Sequence, residues 1–497
     1  MRLNLSSLAT LPAHVQRPAY NPASLEVGIV HLGIGAFHRA HQAVYTDDAI
    51  AAAGGDWGIC GVSLKTPTVR DQLVPQNGLY SVRTVARGPD AWRVVGSVHE
   101  VLFSPDQLAD VVARIARAET KIVTITVTEK GYCANVAKRE PLWDHADIAN
   151  DLLHANAPVS VLGVLALGLF ERFRKRGEPL TVMCCDNLPE NGAVLESLLH
   201  HFVQRQYPQI MPWLRDNVRF PSSMVDRIVP ATKPEDRTDA TTALGVADEG
   251  VVRAEPFSQW VIEDNFAGAR PAWEKVGAQL VADVRPYEKM KLRLLNGSHS
   301  LMAYLGFLAG FETIAETVTN ASFARLVDAL MVEAASTLEP FPASANVDVA
   351  AYRAQLIERF ANPNTGHRCA QIATDGSQKI PQRWLAVASD RLARGLDVSA
   401  LALATAGWIR YVYGKDEVDI PININDPLAS EFAAIATKHP YDALSFADAV
   451  LRIEPIFGAL GRNPAFAAPV KRWVSALFRE GALAAVDSFS ADTAFSR

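Results

Sequence analysis

The run Val27-Gly28-Ile29-Val30-His31-Leu32 leading into Gly33-Ile34-Gly35-Ala36 constrains the fold more than any other segment of the chain. Six mostly apolar residues without alternation suit a strand buried on both faces, and such strands belong to parallel sheets covered by helices. A parallel strand reaches its neighbour only through a crossover, so the chain is committed to repeating strand and helix. That repeat is legible downstream. Apolar residues fall at helical spacing over residues 36–53, residues 57–64 read as a strand after the Gly54-Gly55 turn, and residues 105–116 read as a helix beginning after Ser104. Residues 121–127 and 180–185 form two further strand candidates, and residues 79–86 and 92–103 alternate as strands around Gly88-Pro89-Asp90, a predicted hairpin. One helical segment is expected to end near Arg176.

From about Glu255 onward the texture changes. Ala/Leu-rich stretches at 289–308, 320–337, 347–360, 382–413 and 427–438 carry the helical rather than the alternating period. A chain of 497 residues exceeds what one core organises. The expectation is an α/β protein with an N-terminal doubly wound sheet, residues 1–217, followed by a mainly α-helical domain, residues 218–497.

Composition removes several functional classes. With 49% hydrophobic and 21% charged residues the chain can bury large cores, and disorder is not indicated. The net charge is −6 and no Lys/Arg run is long enough to neutralise a phosphate backbone, so nucleic acid is not an expected partner. Five scattered cysteines without a CxxC pair suggest neither a disulfide framework nor a cysteine zinc site, but thiols in a reducing compartment. Pro12 and Pro18 interrupt the first residues before any stretch apolar enough for a signal sequence or span. A cytoplasmic protein with no membrane partner is expected.

Gly33-Ile34-Gly35-Ala36-Phe37-His38-Arg39 sets two glycines between the first strand and its helix, where backbone N–H groups can meet a pyrophosphate. The segment departs from GxGxxG because His38 holds the third glycine position. At the end of the second strand, Gly61-Val62-Ser63-Leu64-Lys65 lacks the carboxylate that usually takes the ribose hydroxyls of NAD, and Lys65 suits a 2′-phosphate, so these residues leave NAD and NADP open.

A second informative stretch is Glu288-Lys289-Met290-Lys291-Leu292-Arg293-Leu294-Leu295-Asn296-Gly297-Ser298-His299. On an ideal α-helix Lys291, His299 and Asn296 fall at roughly 0°, 80° and 140°, one broad arc. Lys291 and His299 are then about 12 Å apart along the axis, so they share a substrate only if it is several atoms long or if Gly297 lets the helix end. Oxidation of a secondary alcohol needs a base for the hydroxyl proton and neutral donors for the developing alkoxide. A desolvated Lys291 and the Asn296 amide supply those types. The bland alternative is a solvated lysine, an Asn-Gly helix stop and a satisfied histidine.

Four separated motifs decide between these readings: Gly33 to His41; Cys185-Asp186-Asn187 with Asn191-Gly192; Met224-Val225-Asp226-Arg227-Ile228-Val229-Pro230; and Lys291 to His299. Together with Glu255-Pro256-Phe257, Gln259-Trp260 and Glu263-Asp264, they make the chain resemble the polyol-specific long-chain dehydrogenase, or mannitol dehydrogenase, family over nearly its whole length. The resemblance implies a Rossmann domain, a helical C-terminal domain and an active site between them, with NAD as cofactor, no zinc and a monomeric state. It implies that Lys291 is the acid/base, that Asn187 and Asn296 hold the substrate oxygen, that His299 orients substrate and that Glu288 passes protons. Gly33, Gly35, Ala36, Phe37, Arg39 and Asp226 would line the cofactor. Thr128-Glu129-Lys130-Gly131-Tyr132, His367-Arg368 and residues 375–383 resemble the fructuronate reductase (mannonate oxidoreductase) branch, which implies Lys130, Arg368 and Lys379 as contacts to a sugar-acid carboxylate. Oxidation of mannitol, arabinitol or sorbitol is the alternative within the family. A dinucleotide-binding redox sensor is the alternative outside catalysis, and the catalytic combination argues against it.

Overall fold

The structure, a computed structural model, describes residues 1–175, 177–341 and 347–494. The helix end expected near Arg176 therefore lies outside the described residues. Two compact units emerge, Met1–Arg285 and Pro286–Arg497.

In the first unit, Val27–Leu32 (β1) is buried at every position. It pairs in parallel with Gly58–Ser63 (β2) on one side and with Ile122–Ile125 (β4) on the other. Val98–Phe103 (β3), Leu180–Cys184 (β5) and Val218–Arg219 (β6) complete an all-parallel sheet of order β6-β5-β4-β1-β2-β3. Alternate residues feed two different cores. Val30, Leu32, Val123, Ile125 and Val182 pack with Val111 and Ile115 of Ser104–Ile115 and with Leu162 and Leu165 of Val161–Lys175. Ile29, Ile59, Ile122 and Met183 point the other way, into a cluster with Ala43, Tyr45 and Ala49. Helices on both faces are why the strand reads as one apolar run.

The helix expected over residues 36–53 is broken into Ala36–Ala40 (α1) and Gln42–Ala53 (α2). His41 breaks it, with φ −125 and ψ −89, as its Nε2 bonds the Gln259 carbonyl at 2.9 Å. The strand expected over residues 92–103 is also two elements. Ala91–Val95 pairs antiparallel with Tyr80–Thr84, which is the expected hairpin, whereas β3 joins the main sheet. The switch occurs at Gly96, whose N–H is held by Asp47 Oδ1 at 2.8 Å.

The larger correction concerns the domain boundary, which falls at Arg285/Pro286 rather than at 217/218. The intervening residues are sheet-bound to the first unit. Val252–Ala254 pairs with Tyr80–Thr84, and Ser223–Asp226 (β7), Gln259–Glu263 (β8) and Gln279–Val281 (β9) form a three-stranded sheet whose Trp260 and Ile262 enter the cluster around Ile29.

The second unit is helical. Gly297–Leu308 and Ser399–Val412 are buried almost all round and pack on each other. The second of these begins at Val398, which has no side chain able to cap it, and Glu333 of Ala321–Ala335 does so from outside. Its Oε1 accepts from the Ala400 N–H at 2.7 Å and its Oε2 from the Leu401 N–H at 3.1 Å. Burial nevertheless pushes the Glu333 carboxyl up to about 7, with those two N–H bonds opposing. The folded state therefore binds the proton more tightly than the unfolded chain, and Glu333 makes stability fall as pH rises from the ordinary carboxylate range through about 7. Thermal unfolding at pH 5 and pH 7.5 should show this decline in the parent protein and a smaller one in Glu333→Gln. Glu333→Ala, which orphans two buried donors, should lose about 1–3 kcal/mol at either pH.

Candidate active site

The turn after β1 is built on a contact only glycine permits. Gly33 has φ 98, and a Cβ there would lie 2.0 Å from the Thr126 carbonyl oxygen just beyond β4. His31 consolidates the approach from below, with Nδ1 2.7 Å from Thr124 Oγ1 and Nε2 2.9 Å from Thr126 Oγ1 and 3.1 Å from the Gly33 carbonyl. His38 lies parallel to His31 with ring centroids 3.3 Å apart, so the third glycine position is filled by an imidazole stacked on the strand. Burial drives both rings toward the neutral form, His31 down to about 3 and His38 well below the ordinary histidine value.

Gly35 differs. It is exposed at the head of α1, has φ −85, and a Cβ would meet nothing nearer than the Gly33 carbonyl oxygen at 3.8 Å. The fold itself does not need glycine here, since the backbone conformation and the space would admit a side chain. Ala36 begins α1 and Phe37, half-buried, stacks on His41 at 5.1 Å. Arg39 is buried and bonds the Gly35 and Gly250 carbonyls, with Tyr80 donating to its own carbonyl at 2.7 Å. Its guanidinium braces the loop from beneath instead of presenting itself to a cofactor. Asp226 is the buried last residue of β7. Lys65, exposed after β2, pairs with Asp147 at 2.8 Å.

In the same unit, Asn187 is exposed in the loop after β5, and Lys130 is exposed on the Glu129–Tyr132 turn after β4.

The stretch from Glu288 to His299 is not one α-helix. Arg285–Met290 leads into a π-helical turn, Lys291–Asn296, and then into Gly297–Leu308, so Gly297 continues the helix rather than ending it. The angles of an ideal α-helix do not hold across this wider turn, a rare element that gathers at functional sites. A second π turn, Pro381–Leu385, packs against the first. Arg383 donates to the Asn296 carbonyl at 3.2 Å and to Ser300 Oγ at 2.8 Å, and Trp384 Nε1 donates to the Gly297 carbonyl at 3.0 Å. Those bonds tie the second irregular turn to the end of the first. Lys291 is 8% exposed, while Asn296 and Glu288 are half-buried. Arg293, on the same turn, is anchored by Thr337 and Asp390.

His299, 9% exposed, lies against Phe360 and His367 with centroids 4.7 and 5.6 Å away, and its Nε2 has no hydrogen-bond partner within the described residues. Burial first, then His367, Arg359 and Arg383, hold it well below the ordinary value and hence neutral. Lys379 donates to the Thr374 carbonyl at 2.6 Å and to its hydroxyl at 3.1 Å. Arg368, expected to meet substrate, is instead more than half exposed and paired with Glu312 at 3.0 Å. One group of potential metal ligands exists among the described residues, Cys133, His145 and Asp147, and Asp147 already pairs with Lys65. All five cysteines are free and buried.

Two family models cover the chain: the mannitol dehydrogenase Rossmann domain over residues 27–275 and the mannitol dehydrogenase C-terminal domain over residues 283–478. The chain belongs to the mannitol dehydrogenase family. It is 43% identical to the D-mannonate oxidoreductase of Escherichia coli (strain K12), over 94% of this chain and 96% of that protein. It is 37% identical to a mannitol 2-dehydrogenase of Phaeosphaeria nodorum, over 99% and 86%. Among solved structures, the Pseudomonas fluorescens mannitol 2-dehydrogenase in ternary complex with NAD and D-mannitol matches with a TM-score of 0.86 at 36% identity, over 98% of this chain and 99% of that one. The chain is thus an oxidoreductase of this family with a Rossmann domain for a nicotinamide cofactor.

Within the family frame, sequence reasoning missed three side chains. Arg227 ties the Ala40 carbonyl to that of Glu255, holding the end of α1. Arg359 and Arg383, after burial and His367, favour the neutral form of His299. Nothing in residue spacing marks them, because each acts on groups distant in the chain, Arg227 on a carbonyl 187 residues away. The two loop glycines give a direct test of the cofactor assignment. Gly33→Ala should destabilise the fold, by about 1–3 kcal/mol or more, since the carbonyl it meets is backbone. Gly35→Ala should melt like the parent yet bind NADH at least about tenfold more weakly by fluorescence titration, roughly 1.4 kcal/mol.

Proposed function

We propose that this protein interconverts D-fructuronate and D-mannonate with NAD(H), using Lys291 as acid and base. The observation that carries the sugar acid over a neutral polyol is the cationic neighbourhood of His299, in which Arg359 and Arg383 both act on its ring. A carboxylate-bearing substrate matches such a site, whereas a polyol has no charge to offer it. The similarity to D-mannonate oxidoreductase supports the same choice. Lys130 and Lys379 remain the proposed additional contacts, and Arg368 leaves that set because Glu312 holds it at the surface.

When bound, NAD(H) carries the hydride. In the reduction, Lys291 delivers a proton to the ketone oxygen, which the amides of Asn187 and Asn296 hold through its developing negative charge. Glu288 returns a proton to Lys291, and neutral His299 orients a substrate hydroxyl through its unpartnered Nε2. Gly33, Gly35, Ala36, Phe37 and Asp226 line the cofactor loop, with Arg39 as its brace. An ammonium and two amides do the work of a Lewis acid, so no metal enters. NAD is proposed over NADP because Asp147 neutralises Lys65, the cation that a 2′-phosphate would seek. A monomeric cytoplasmic enzyme completes the reading; no helix among the described residues is long and apolar enough to cross a membrane.

A second reading, mannitol 2-dehydrogenase or a related polyol dehydrogenase, is favoured by the relatives of that name and by the exposure of Lys130. A substrate panel read by NADH absorbance separates the two. Catalytic efficiency with fructuronate should exceed that with fructose by on the order of a hundredfold or more. Efficient mannitol or arabinitol oxidation without fructuronate reduction would overturn the sugar-acid reading. Lys291→Ala should bind NADH normally, lose about 10²–10⁴-fold in kcat and regain part of it with added primary amines. The parent should keep its activity after dialysis against a strong chelator.

A further inference from the structure

Family resemblance gives Asn187 a role in the Cys185-Asp186-Asn187 motif and leaves Asp186 without one. The carboxylate of Asp186 leaves its own strand end. Oδ2 accepts from the Val127 N–H at 2.9 Å and from the Tyr132 hydroxyl at 2.7 Å, and Oδ1 accepts from the Thr128 N–H at 3.0 Å. These three donors bracket Glu129–Tyr132, the turn that carries Lys130. The turn needs such support. Thr128 before it and Cys133 after it are left-handed, at φ 68 and φ 50, a region disfavoured for residues with a side chain and most of all for a β-branched one.

The other side of Asp186 is equally fixed. Its carbonyl accepts from Asn191 Nδ2 at 3.0 Å, and the buried Asn191 side chain also accepts from the Ser223 N–H at 2.9 Å and donates to the Ser223 carbonyl at 2.7 Å. Gly192 admits this proximity, since a Cβ there would sit 2.4 Å from the Phe220 carbonyl oxygen. One chain of bonds therefore runs from the Lys130 turn through Asp186 and Asn191 to the start of β7, and Asn187 hangs from its middle.

We propose that Asp186 is a positioning residue that sets the Lys130 turn, and through it the hold on the anionic end of the substrate, while taking no part in proton transfer. This rests on the reading of the substrate as a sugar acid met by Lys130. The test is Asp186→Asn, nearly the same shape but with an NH2 where one of three donors needs an acceptor. Its KM for fructuronate should rise about tenfold, the scale of one lost hydrogen bond to a charged group, with kcat within about twofold and NADH affinity unchanged. Lys130→Ala should raise KM in the parent and add little in the Asp186→Asn background, because both act on one contact.

Hydrogen exchange of the segment covering residues 127–133 needs no substrate, and it should quicken in Asp186→Asn but not in Lys130→Ala. Parent-like exchange, a fall in kcat at unchanged KM, or additive effects of the two substitutions would each overturn the proposal. If Asp186→Asn does not fold, Tyr132→Phe removes one donor only and should show a smaller KM rise of the same kind; an unchanged KM there would overturn it too. A parent enzyme that ignores fructuronate overturns the substrate reading instead, and the exchange result tells the two failures apart.

Discussion

The close approach of Gly33 to the Thr126 carbonyl is the constraint on which the first unit depends. β1, β4 and β5 end in register, Leu32 beside Ile125 and Ile125 beside Cys184, so the segments that follow them emerge side by side at one edge of the sheet. That edge carries the glycine loop, the Lys130 turn and the loop with Asn187. A side chain on Gly33 would push the first of these off the second, and His31, bonded to Thr124, Thr126 and the Gly33 carbonyl, keeps them together. Charged and polar groups beneath the surface, Arg39, Arg227 and Asp186, then spend their bonds on backbone carbonyls and N–H groups of those same segments. Much of what looks like a catalytic motif in this unit is the scaffold under it.

The second unit solves a different problem. A π turn widens the helix at Lys291, an irregular winding held by its surroundings. Arg383 and Trp384 from the neighbouring π turn bond the Asn296 and Gly297 carbonyls at its end, so the two irregular turns are tied together. The same contact brings a cation toward His299, whose ring burial keeps neutral. Architecture and electrostatics meet here: Arg383, which bonds the Asn296 carbonyl, also adds to the burial that keeps the imidazole neutral.

Much of this was legible in the residues. Strand β1, its glycine turn, the doubly wound sheet and the helical second half follow from periodicity and turn chemistry, and the familial motifs led to the family, while the roles proposed for Lys291, Asn296 and His299 rest on that resemblance. Other features were not. The break at His41 depends on a carbonyl 218 residues away, and the splitting of residues 92–103 depends on Asp47 reaching Gly96. Arg368 and Arg359 look alike in the sequence, yet one is paired at the surface and the other is buried.

What the sequence determined by itself is therefore the set of local preferences and the family: which segments are strands or helices, where glycine is demanded, and which motifs mark a mannitol dehydrogenase. Only the tertiary structure decided that the boundary lies at Arg285/Pro286, that the lysine sits on a π turn, and which arginines brace the backbone. The physical reason is range. Periodicity and turn propensity act over a few residues, whereas strand pairing, desolvation and the satisfaction of buried carbonyls depend on groups brought together from distant parts of the chain.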